Sequence, residues 1–289
     1  MTLYDFLRDV YAPSHLGIAE ASIHQMAIAI RLFDRWAQRS IMVEELDDPL
    51  VLKFLGDYSR GRSPATVNGK RRFLLALWRE AHRRGHCPRM PQHIPRLKEH
   101  LQLPQAWRID EIDRILVAAR STPGTIVDVL ACRWWPSILL ACFDSAGRIG
   151  AIRQVRPTDI RLAERGLVLR AETQKDKRAR WCSLHDQTIA ACAAIYVDSR
   201  DLMWPWPFTR EWLDQSFKRI LRRAGVRYGR GNGGLWHKLR RTSGTLVEAA
   251  GGDGAKHLGN TRQIFETYYN DPTISSKSQL DLLPRPNLD

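Results

Sequence analysis

Hydrophobic residues recur at steps of three and four through the first third of the chain, which is the spacing of one face of an α-helix. The segment SIHQMAIAIRLFDRWAQRS carries an apolar stripe formed by Ile23, Met26, Ala27, Ile30, Phe33 and Trp36. The segment SPATVNGKRRFLLALWREAHRRGH carries a second stripe formed by Val67, Leu74, Leu77, Trp78 and Ala81. Ser63 is the predicted N-cap of this second helix and Pro64 its first residue, since both residue types favour those positions. The pattern predicts a helical N-terminal domain.

The second part of the chain combines helical periodicity with two strand-like runs. Helices are predicted in RIDEIDRILVAARS, DVLACRWWPSILLACFDSAGR and TREWLDQSFKRILRRAGV, and a last one near residues 261–269. In the third of these segments Thr209 is the expected N-cap, and the core stripe is formed by Trp212, Leu213, Phe217 and Leu221. Trp204 and Trp206 are also expected in the core. The runs GLVLRAET and RARWCSLH, with charged QKDK between them, predict a small hairpin or short sheet.

The stretch between these two parts is dense in proline and basic residues. It reads PRMPQHIPRLKEHLQLPQA over residues 88–106, a composition typical of an extended linker. We therefore predict a helical domain over residues 1–90, a linker over 91–106 and a second domain over 107–289. The expected fold class is mostly α with a small antiparallel β-sheet.

The charge balance indicates a polyanionic partner. The 289 residues include 45 Lys and Arg against 31 Asp and Glu, which gives a formal net charge of +14 and a pI near 10.0. Nucleic acid is the commonest partner of a globular chain this basic, and an anionic membrane is the alternative. No apolar run approaches the roughly 18 residues that a spanning helix needs, and the first residues, MTLYDFLRDVY, do not resemble a signal peptide. We expect a cytoplasmic protein without a membrane partner.

Cations crowd the polar face of the second predicted helix, at Lys70, Arg71, Arg72, Arg79, Arg83 and Arg84. A basic face can equally be just solvated, but this many cations with few acids between them favour contact with phosphate groups. We predict that Lys70, Arg71, Arg72 and Arg79 bind nucleic acid.

Metal and redox chemistry have little support in the sequence. The five cysteines, at positions 87, 132, 142, 182 and 192, include no C-x-x-C pair, and Cys132 and Cys142 lie in apolar runs. A disulfide framework or a zinc site is therefore not expected. The sequence also lacks a P-loop, a G-x-G-x-x-G motif and an acidic metal cluster. We expect neither a metal nor a cofactor.

Four segments of the second part, in order, resemble the sequence boxes of the tyrosine recombinases, the phage-integrase family. They are SAGRIGAIRQVRPTDI, TQKDKRARWCSLH, HKLRRT and HLGNTRQIFETYYND. By position in those boxes, the resemblance puts catalytic residues at Arg148, Lys175, His237, Arg240, Asn260 and Tyr269, with Tyr268 as the alternative nucleophile. The helical first third is similar to that family's SAM-like core-binding domain, so the likeness spans nearly the whole chain.

The resemblance implies an enzyme that cleaves and rejoins DNA through a 3′-phosphotyrosine intermediate, as in the integration and excision of mobile elements. It also implies a two-domain clamp around double-stranded DNA and a homotetramer on two DNA sites. In that family a C-terminal segment docks on a neighbouring protomer, a role that would fall to residues 273–289. Covalent attachment to a tyrosine keeps the energy of the phosphodiester, so the chemistry needs no ATP or other cofactor.

The residue types in the boxes suit that chemistry. Guanidinium forks, such as those of Arg148 and Arg240, match the non-bridging oxygens of a phosphate, where negative charge gathers in the transition state. Lys175 is the candidate general acid for the leaving 5′-oxygen, with Lys177 as a rival. His237 is the candidate base or proton store for the tyrosine, and it shares a helix face with Arg240 three positions later.

Two positions depart from the family pattern. A glutamate usually follows the first arginine, where this chain has Ala151, and a histidine or tryptophan usually stands at Asn260. Asparagine can donate a hydrogen bond to a phosphate oxygen but cannot carry a proton, and His257 is a conceivable substitute. Tyr269 lies nine positions after Asn260 and directly before Asn-Asp-Pro, and both features favour it over Tyr268 as the nucleophile.

Two other functions stay open at this point. The departures at Ala151 and Asn260 are compatible with a catalytically impaired relative that binds DNA without cleaving it. A type IB topoisomerase-like enzyme would use the same chemistry as a monomer without preference for a DNA site. Formation of a covalent adduct separates the first alternative, and relaxation of an arbitrary supercoiled plasmid separates the second.

Overall fold

The structure, a computed structural model, describes residues 1–229 and 234–276. The helices are α1 (Leu3–Asp5), α2 (Ala12–Ser14), α3 (Glu20–Ala37), α4 (Asp48–Ser59), α5 (Pro64–Arg83), α6 (Ile109–Arg120), α7 (Ala131–Ser145), α8 (Ile149–Ile152), α9 (Asp186–Ala193), α10 (Arg210–Arg223), α11 (Trp236–Ala249), α12 (Gly254–Leu258), α13 (Arg262–Tyr268) and α14 (Pro272–Ser275), and a π-helical stretch at Phe6–Tyr11 joins α1 to α2. The strands are β1 (Thr125–Ile126), β2 (Val129–Leu130), β3 (Ile160–Arg161), β4 (Gly166–Leu169) and β5 (Arg180–Ser183). The prediction of a mostly α fold with a small antiparallel sheet is confirmed.

The chain forms two compact units, residues 1–101 and the part from Gln102 onward. In the first unit, both predicted apolar stripes face the core. The stripe of α5 is completely buried, and in α3 Met26, Ile30 and Phe33 are buried while Ile23 and Trp36 pack at the edge. Within the described residues, no helix of either unit is long and apolar enough to cross a bilayer.

The start of α5 follows the predicted capping pattern. The Ser63 hydroxyl accepts a hydrogen bond from the backbone N–H of Thr66 at 3.3 Å, and Pro64 is the first helical residue. A cap of this type satisfies one of the backbone donors that a helix N-terminus leaves open. The predictions for Ser63 and Pro64 are confirmed.

Residues 89–108 form neither helix nor strand, yet the first ten or so of them pack on α5. The side chain of Asn68 pairs with the backbone of Leu97 in both directions, at 2.9 and 3.0 Å. The guanidinium of Arg71 donates from Nε to the carbonyl oxygen of Ile94 at 2.8 Å, and Ile94 itself is buried. This part of the proline-rich stretch is therefore held by side chains of the first unit.

The second unit has a large core around α6, α7, α10 and α11, with a three-stranded antiparallel sheet of order β3-β4-β5. In the β4–β5 hairpin Leu167 lies opposite Cys182, and Leu169 lies opposite Arg180. These strands fall in the two runs predicted to pair, so the predicted hairpin is confirmed.

One predicted core residue of α10 is exposed. Thr209 caps the helix as expected, accepting from the backbone N–H of Trp212 at 3.4 Å. Leu213, Phe217 and Leu221 are completely buried, but Trp212 is 55% exposed, so its assignment to the core was wrong. The buried stripe runs from Leu213 at steps of four, three and one and includes Ile220, which leaves Trp212 about 100° round the helix from Leu213. Trp204 is buried as predicted, and Trp206 is half-buried against the core.

Close packing between α11 and α12 leaves no room for a side chain at Gly254. A Cβ there would lie 2.5 Å from the carbonyl oxygen of Gly244 and would also collide with the Phe265 ring. We expect Gly254→Ala to lower the free energy of unfolding by about 1–3 kcal/mol, measured by urea denaturation. Gly56→Ala is the matched control, because a Cβ in the middle of α4 meets no atom within 4 Å. Helix propensity predicts that this control stabilises by about 0.5–1 kcal/mol, and equal effects of the two changes would contradict the packing argument.

Candidate active site

The centre of the candidate site is the guanidinium of Arg240, on the second turn of α11. Arg240 is only 2% exposed, and its two Nη atoms donate to the carbonyl oxygens of Ala146 and Leu258, the latter at 2.5 Å. The Nη2 atom also lies 3.5 Å from Oδ1 of Asn260. These contacts hold the guanidinium between the end of α7 and the end of α12.

Three hydrogen-bond donors around this pocket have no acceptor. Among the described residues, Nε of Arg240, Nδ2 of Asn260 and Nε of Arg180, the first residue of β5, are buried and without a hydrogen-bond partner. A buried donor left unsatisfied costs about 1–3 kcal/mol, so such groups are usually completed by a ligand or water. The pocket therefore suits a ligand that brings oxygen acceptors.

A tight turn at the end of α7 places Arg148 in the region of Arg240. Ala146 adopts a left-handed conformation with φ 47° and ends α7, and Arg148 is the N-cap of the short α8. Gly147 lies between them, where a Cβ would come within 2.6 Å of the Ile152 side chain. A side chain at Gly147 would therefore require the Ile152 side chain to move, so the packing favours glycine directly before Arg148.

The pocket is strongly positive. Burial, followed by the charge of Arg148, lowers the pKa of Arg240 to about 10, which leaves it protonated at neutral pH. Desolvation by surrounding protein, followed by the charges of Arg240 and Arg148, lowers the pKa of His237 below its ordinary 6.5, although the side chain is solvent-exposed. Within residues 1–229 and 234–276, no carboxylate forms an ion pair with Arg148 or Arg240. Ala151 is buried in the core, so no acid stands where the family usually has its glutamate.

The two neighbouring tyrosines have different surroundings. The ring centroid of Tyr269 lies 5.5 Å from Cζ of Arg240, and the ring packs beside the small apolar cluster that contains Leu258 and Phe265. Tyr268 is 44% exposed. Its backbone carbonyl oxygen accepts a hydrogen bond from Arg241. The structure brings Tyr269 and not Tyr268 next to the buried guanidinium.

Hydrogen bonds fix the backbone that carries Tyr269. The hydroxyl of Thr245 donates to the carbonyl oxygen of Tyr269 at 3.0 Å and accepts from the backbone N–H of Asp271 at 3.1 Å. The buried carboxylate of Asp271 accepts in turn from the N–H of Ala106 at 2.7 Å. The sequence signal for this anchor was the Asp-Pro pair that starts α14, which the sequence argument used only to choose between the tyrosines.

Lys175 is exposed on the turn between β4 and β5. Among the described residues, no hydrogen bond or ion pair connects it to Arg148, Arg240 or Tyr269. Lys177, the rival, is exposed on the same turn with φ 57°.

The hairpin also carries Arg180, whose side chain points towards the pocket. The sequence did not predict this residue. Its Nη1 donates to the carbonyl oxygen of His257 at 2.8 Å and its Nη2 to that of Ser145 at 2.7 Å. The signal that could have found it is the alternation of β5, in which Arg180 and Cys182 point to the same, inward face.

His257 is close to the pocket but is engaged elsewhere. Its Nε2 lies 2.7 Å from the hydroxyl of Ser243, one turn after Arg240 on α11. Desolvation, followed by the charges of Arg180 and Arg240, lowers its pKa. Across the part of the chain that the structure describes, no group of three or more His, Cys, Asp and Glu side chains is placed to hold a metal ion.

The basic face of α5 is divided between internal contacts and solvent. Arg72 and Arg79 are exposed, Lys70 is half-buried, and Arg71 is the residue that binds Ile94. Arg83 and Arg84 both pair with the nearly buried Glu80, each at 2.6 Å. Two of the four predicted nucleic-acid contacts, Arg72 and Arg79, therefore present exposed guanidinium groups.

Solved structures with the same architecture cover the whole chain. A dimer of lambda integrase, residues 75–356, bound to a COC′ core site matches with a TM-score of 0.71 and 18% identity, covering 100% of both chains. The Tn1549 transposon integrase, residues 82–397, in complex with a circular intermediate DNA matches with a TM-score of 0.71 and 12% identity, covering 98% of this chain and 100% of that one. The chain has the tyrosine-recombinase fold. A lambda integrase tetramer bound to a Holliday junction also matches, with a TM-score of 0.71 and 18% identity, over 100% of this chain and 81% of that one.

This likeness is one of fold. No protein-family model matches the sequence, and no curated protein matches it either. Within the tyrosine-recombinase fold, the structure gathers at one pocket the side chains of Arg148, His237, Arg240, Asn260 and Tyr269. The sixth predicted catalytic residue, Lys175, is exposed on the turn between β4 and β5.

Proposed function

We propose that the protein is a site-specific DNA recombinase, which cleaves and rejoins double-stranded DNA through a 3′-phosphotyrosine intermediate during integration or excision of a mobile element. The observation that carries this proposal is the pair of buried donors, Nε of Arg240 and Nδ2 of Asn260, beside the ring of Tyr269. A phosphodiester supplies both the acceptors that these donors lack and the negative charge that Arg148 and Arg240 favour.

The chemistry follows from this placement. The hydroxyl oxygen of Tyr269 attacks phosphorus and forms the phosphotyrosine bond, while the bond from phosphorus to the 5′-oxygen breaks. His237, which is neutral at pH 7, takes the tyrosine proton, and Lys175 gives a proton to the departing oxygen. The guanidinium groups of Arg148 and Arg240 stabilise the charge on the non-bridging oxygens. Attack by a 5′-hydroxyl reverses the sequence and rejoins the strand.

A nicked suicide substrate tests this proposal. A nick beside the scissile phosphate lets the short 5′-hydroxyl fragment diffuse away, so that the covalent intermediate accumulates. The expected result is a protein–DNA band that survives denaturant and yields a DNA-linked tyrosine peptide on proteolysis. Because the target site is unknown, the substrates are taken from the DNA that flanks the gene. Absence of the adduct across that set would overturn the proposal.

A DNA-binding relative without cleavage activity is the second candidate. It is favoured by Asn260, whose amide can donate a hydrogen bond but cannot carry a proton, and by Ala151, which leaves Arg148 without a carboxylate partner among the described residues. Retained salt-dependent binding without any adduct would support this candidate. Relaxation of an arbitrary supercoiled plasmid by a monomer would favour the type IB topoisomerase-like enzyme instead.

The proposal includes the assembly and the compartment. The matched lambda integrase structures hold a dimer on a core site and a tetramer on a Holliday junction, which supports a homotetramer on two DNA sites for this chain. We further infer a two-domain clamp around the duplex, with residues 1–90 and 107–289 as its domains, and action in the cytoplasm. Most of the segment expected to dock on a neighbouring protomer, residues 277–289, lies outside the described residues.

Cleavage is expected to depend on pH through His237. The lowered pKa means that the active, neutral imidazole predominates at pH 6.5 and above and is lost as the pH falls through that lower pKa. The single-turnover cleavage rate should therefore fall at acid pH with a midpoint below 6.5. The measurement is a rate profile on the suicide substrate, with circular dichroism at each pH to follow folding. His237→Gln should be slow and should lack this acid limb, and an unchanged limb would contradict the role of His237.

The exposed cations of α5 are expected to set part of the salt dependence of DNA binding. Each lost phosphate contact reduces the slope of log K against log salt by about 0.9 for duplex DNA. The double variant Arg72→Ala, Arg79→Ala should therefore lower the slope by about 2, measured by fluorescence anisotropy. Arg71→Ala is the matched control, since its guanidinium binds Ile94 and its loss should lower stability more than the slope. An unchanged slope in the double variant would indicate that this face is only solvated.

A further inference from the structure

Two arginines hold the same two backbone segments side by side. Arg240 donates to the carbonyl oxygens of Ala146 and Leu258, and Arg180 donates to those of the residues directly before them, Ser145 and His257. The first segment leads into Arg148 and the second into Asn260. The pocket is therefore closed by a double guanidinium bridge, one half of which comes from α11 and the other from the β4–β5 hairpin.

The hairpin half of this bridge lies close to Lys175 in the chain. Arg180 is the first residue of β5, where the strand leaves the turn, and it pairs with Leu169 at the last residue of β4. Lys175 stands five residues earlier on that turn and is itself exposed. Cys182, two residues further along β5, adds a weaker contact to the carbonyl of Ser145 at 3.8 Å. Arg180 therefore connects the pocket to the end of the hairpin that adjoins the turn.

We propose that Arg180 is a positioning residue, which ties the hairpin to the phosphate pocket so that Lys175 reaches the leaving 5′-oxygen. This inference rests on the proposed function, because it assumes strand cleavage with Lys175 as the proton donor. Loss of the Arg180 fork leaves the two pocket segments bridged by Arg240 but releases the end of the hairpin. The general acid should therefore suffer more than the binding of the phosphate.

The test compares two suicide substrates that differ in one atom. In the first the leaving group is the ordinary 5′-oxygen, which needs a proton as it departs. In the second a sulfur atom replaces that bridging oxygen, and a thiolate leaves without protonation because the pKa of a thiol is far below that of an alcohol. A defect confined to proton delivery is visible with oxygen and rescued with sulfur.

Arg180→Lys is the principal variant, since it keeps the charge but loses the planar fork that reaches two carbonyls. With the oxygen substrate we expect cleavage to slow by about 100-fold, the size of effect that a misplacement of about 1 Å produces. With the sulfur substrate we expect a rate within a few-fold of the unmodified protein. Arg180→Gln is read in the same way if the lysine variant does not fold, which circular dichroism and urea denaturation decide.

Three further variants make the outcome decisive. Lys175→Ala should show the same rescue, Arg148→Lys should stay slow on both substrates, and Arg178→Ala, an exposed cation of the same turn, should match the unmodified protein on both. Equal slowing of Arg180→Lys on both substrates, normal rates on both, or failure of Lys175→Ala to be rescued would overturn the inference. If the unmodified protein forms no adduct on either substrate, the proposed function itself fails, which is a distinguishable result.

Discussion

Replacing Tyr269 with phenylalanine is expected to abolish the covalent protein–DNA adduct, whereas Tyr268→Phe is expected to leave it in place. The change removes only the hydroxyl oxygen that would bond to phosphorus, and no other side chain can form the same 3′-linked ester at that position. Tyr269 is the residue whose ring lies 5.5 Å from Cζ of Arg240, while Tyr268 is 44% exposed. The measurement is the denaturant-resistant band on the suicide substrate, compared at equal protein concentration for both variants.

Controls separate a lost nucleophile from a lost fold or a lost complex. The packing of the Tyr269 ring beside Leu258 and Phe265 is preserved by phenylalanine, so urea denaturation should give a nearly unchanged free energy of unfolding. DNA affinity should also stay within a few-fold. An adduct that persists in Tyr269→Phe and disappears in Tyr268→Phe would reverse the assignment, and persistence in both single variants would place the nucleophile elsewhere.

The anchored backbone gives a physical reason for preferring Tyr269. The hydroxyl of Thr245 bonds both the carbonyl of Tyr269 and the N–H of Asp271, so the backbone that directly follows the Tyr269 side chain is fixed to α11. The same helix carries Arg240. The tyrosine and the arginine are therefore set by one rigid element, which favours catalysis because orientation accounts for much of the barrier that a site can remove.

The parts of this molecule that were predicted from sequence are those governed by local rules. The stripes of α3 and α5, the caps Ser63 and Thr209 and the β4–β5 hairpin depend on residues close together in the chain, and the structure contains all of them. Trp212 was placed wrongly because it borders a real apolar stripe, and periodicity alone does not fix where a stripe ends. Which face of a helix is buried depends on the residues that other elements pack against it, and the sequence of a single segment does not contain those residues.

The residues of the pocket also fall into those that the sequence predicted and those that it did not. Matching to the family boxes nominated Arg148, His237, Arg240 and Asn260, which the structure brings together, but it gave no geometry for any of them. Arg180 could not be recognised from its neighbours, because its two acceptors are carbonyl oxygens 35 and 77 residues away in the chain. Backbone carbonyls carry no sequence signature, so a side chain that binds them leaves no motif to match.

The same reasoning distinguishes the cations of α5. Arg71 and Arg72 are adjacent and chemically identical, yet one donates to the carbonyl of Ile94 and the other is exposed. A charge pattern can predict a basic face, but it does not tell which of the cations on that face form hydrogen bonds within the protein. Only the packing of the proline-rich stretch on this helix separates them.

Arg240→Lys is expected to slow cleavage by about 100- to 1,000-fold, the cost of removing one preorganised donor from a developing oxyanion. Lysine keeps the charge and has three N–H donors, but all of them radiate from one nitrogen and do not reproduce the planar fork that reaches the carbonyl oxygens of Ala146 and Leu258 while its Nε–H stays available for a phosphate. Because at least one carbonyl of the pair at Ala146 and Leu258 loses its partner, the free energy of unfolding should also fall by about 1–3 kcal/mol. Single-turnover kinetics and urea denaturation measure the two effects separately.

Arg148→Lys is the matched comparison, since it removes the other guanidinium of the pocket from a half-buried side chain without a hydrogen bond or ion pair among the described residues. Its cleavage rate should fall by a similar factor, while its free energy of unfolding should stay within about 0.5 kcal/mol of the unmodified protein. The contrast follows from the geometry: one arginine completes the fold and the site together, and the other serves the site alone. Equal loss of stability in both variants would show that the backbone contacts of Arg240 are not what holds this pocket closed.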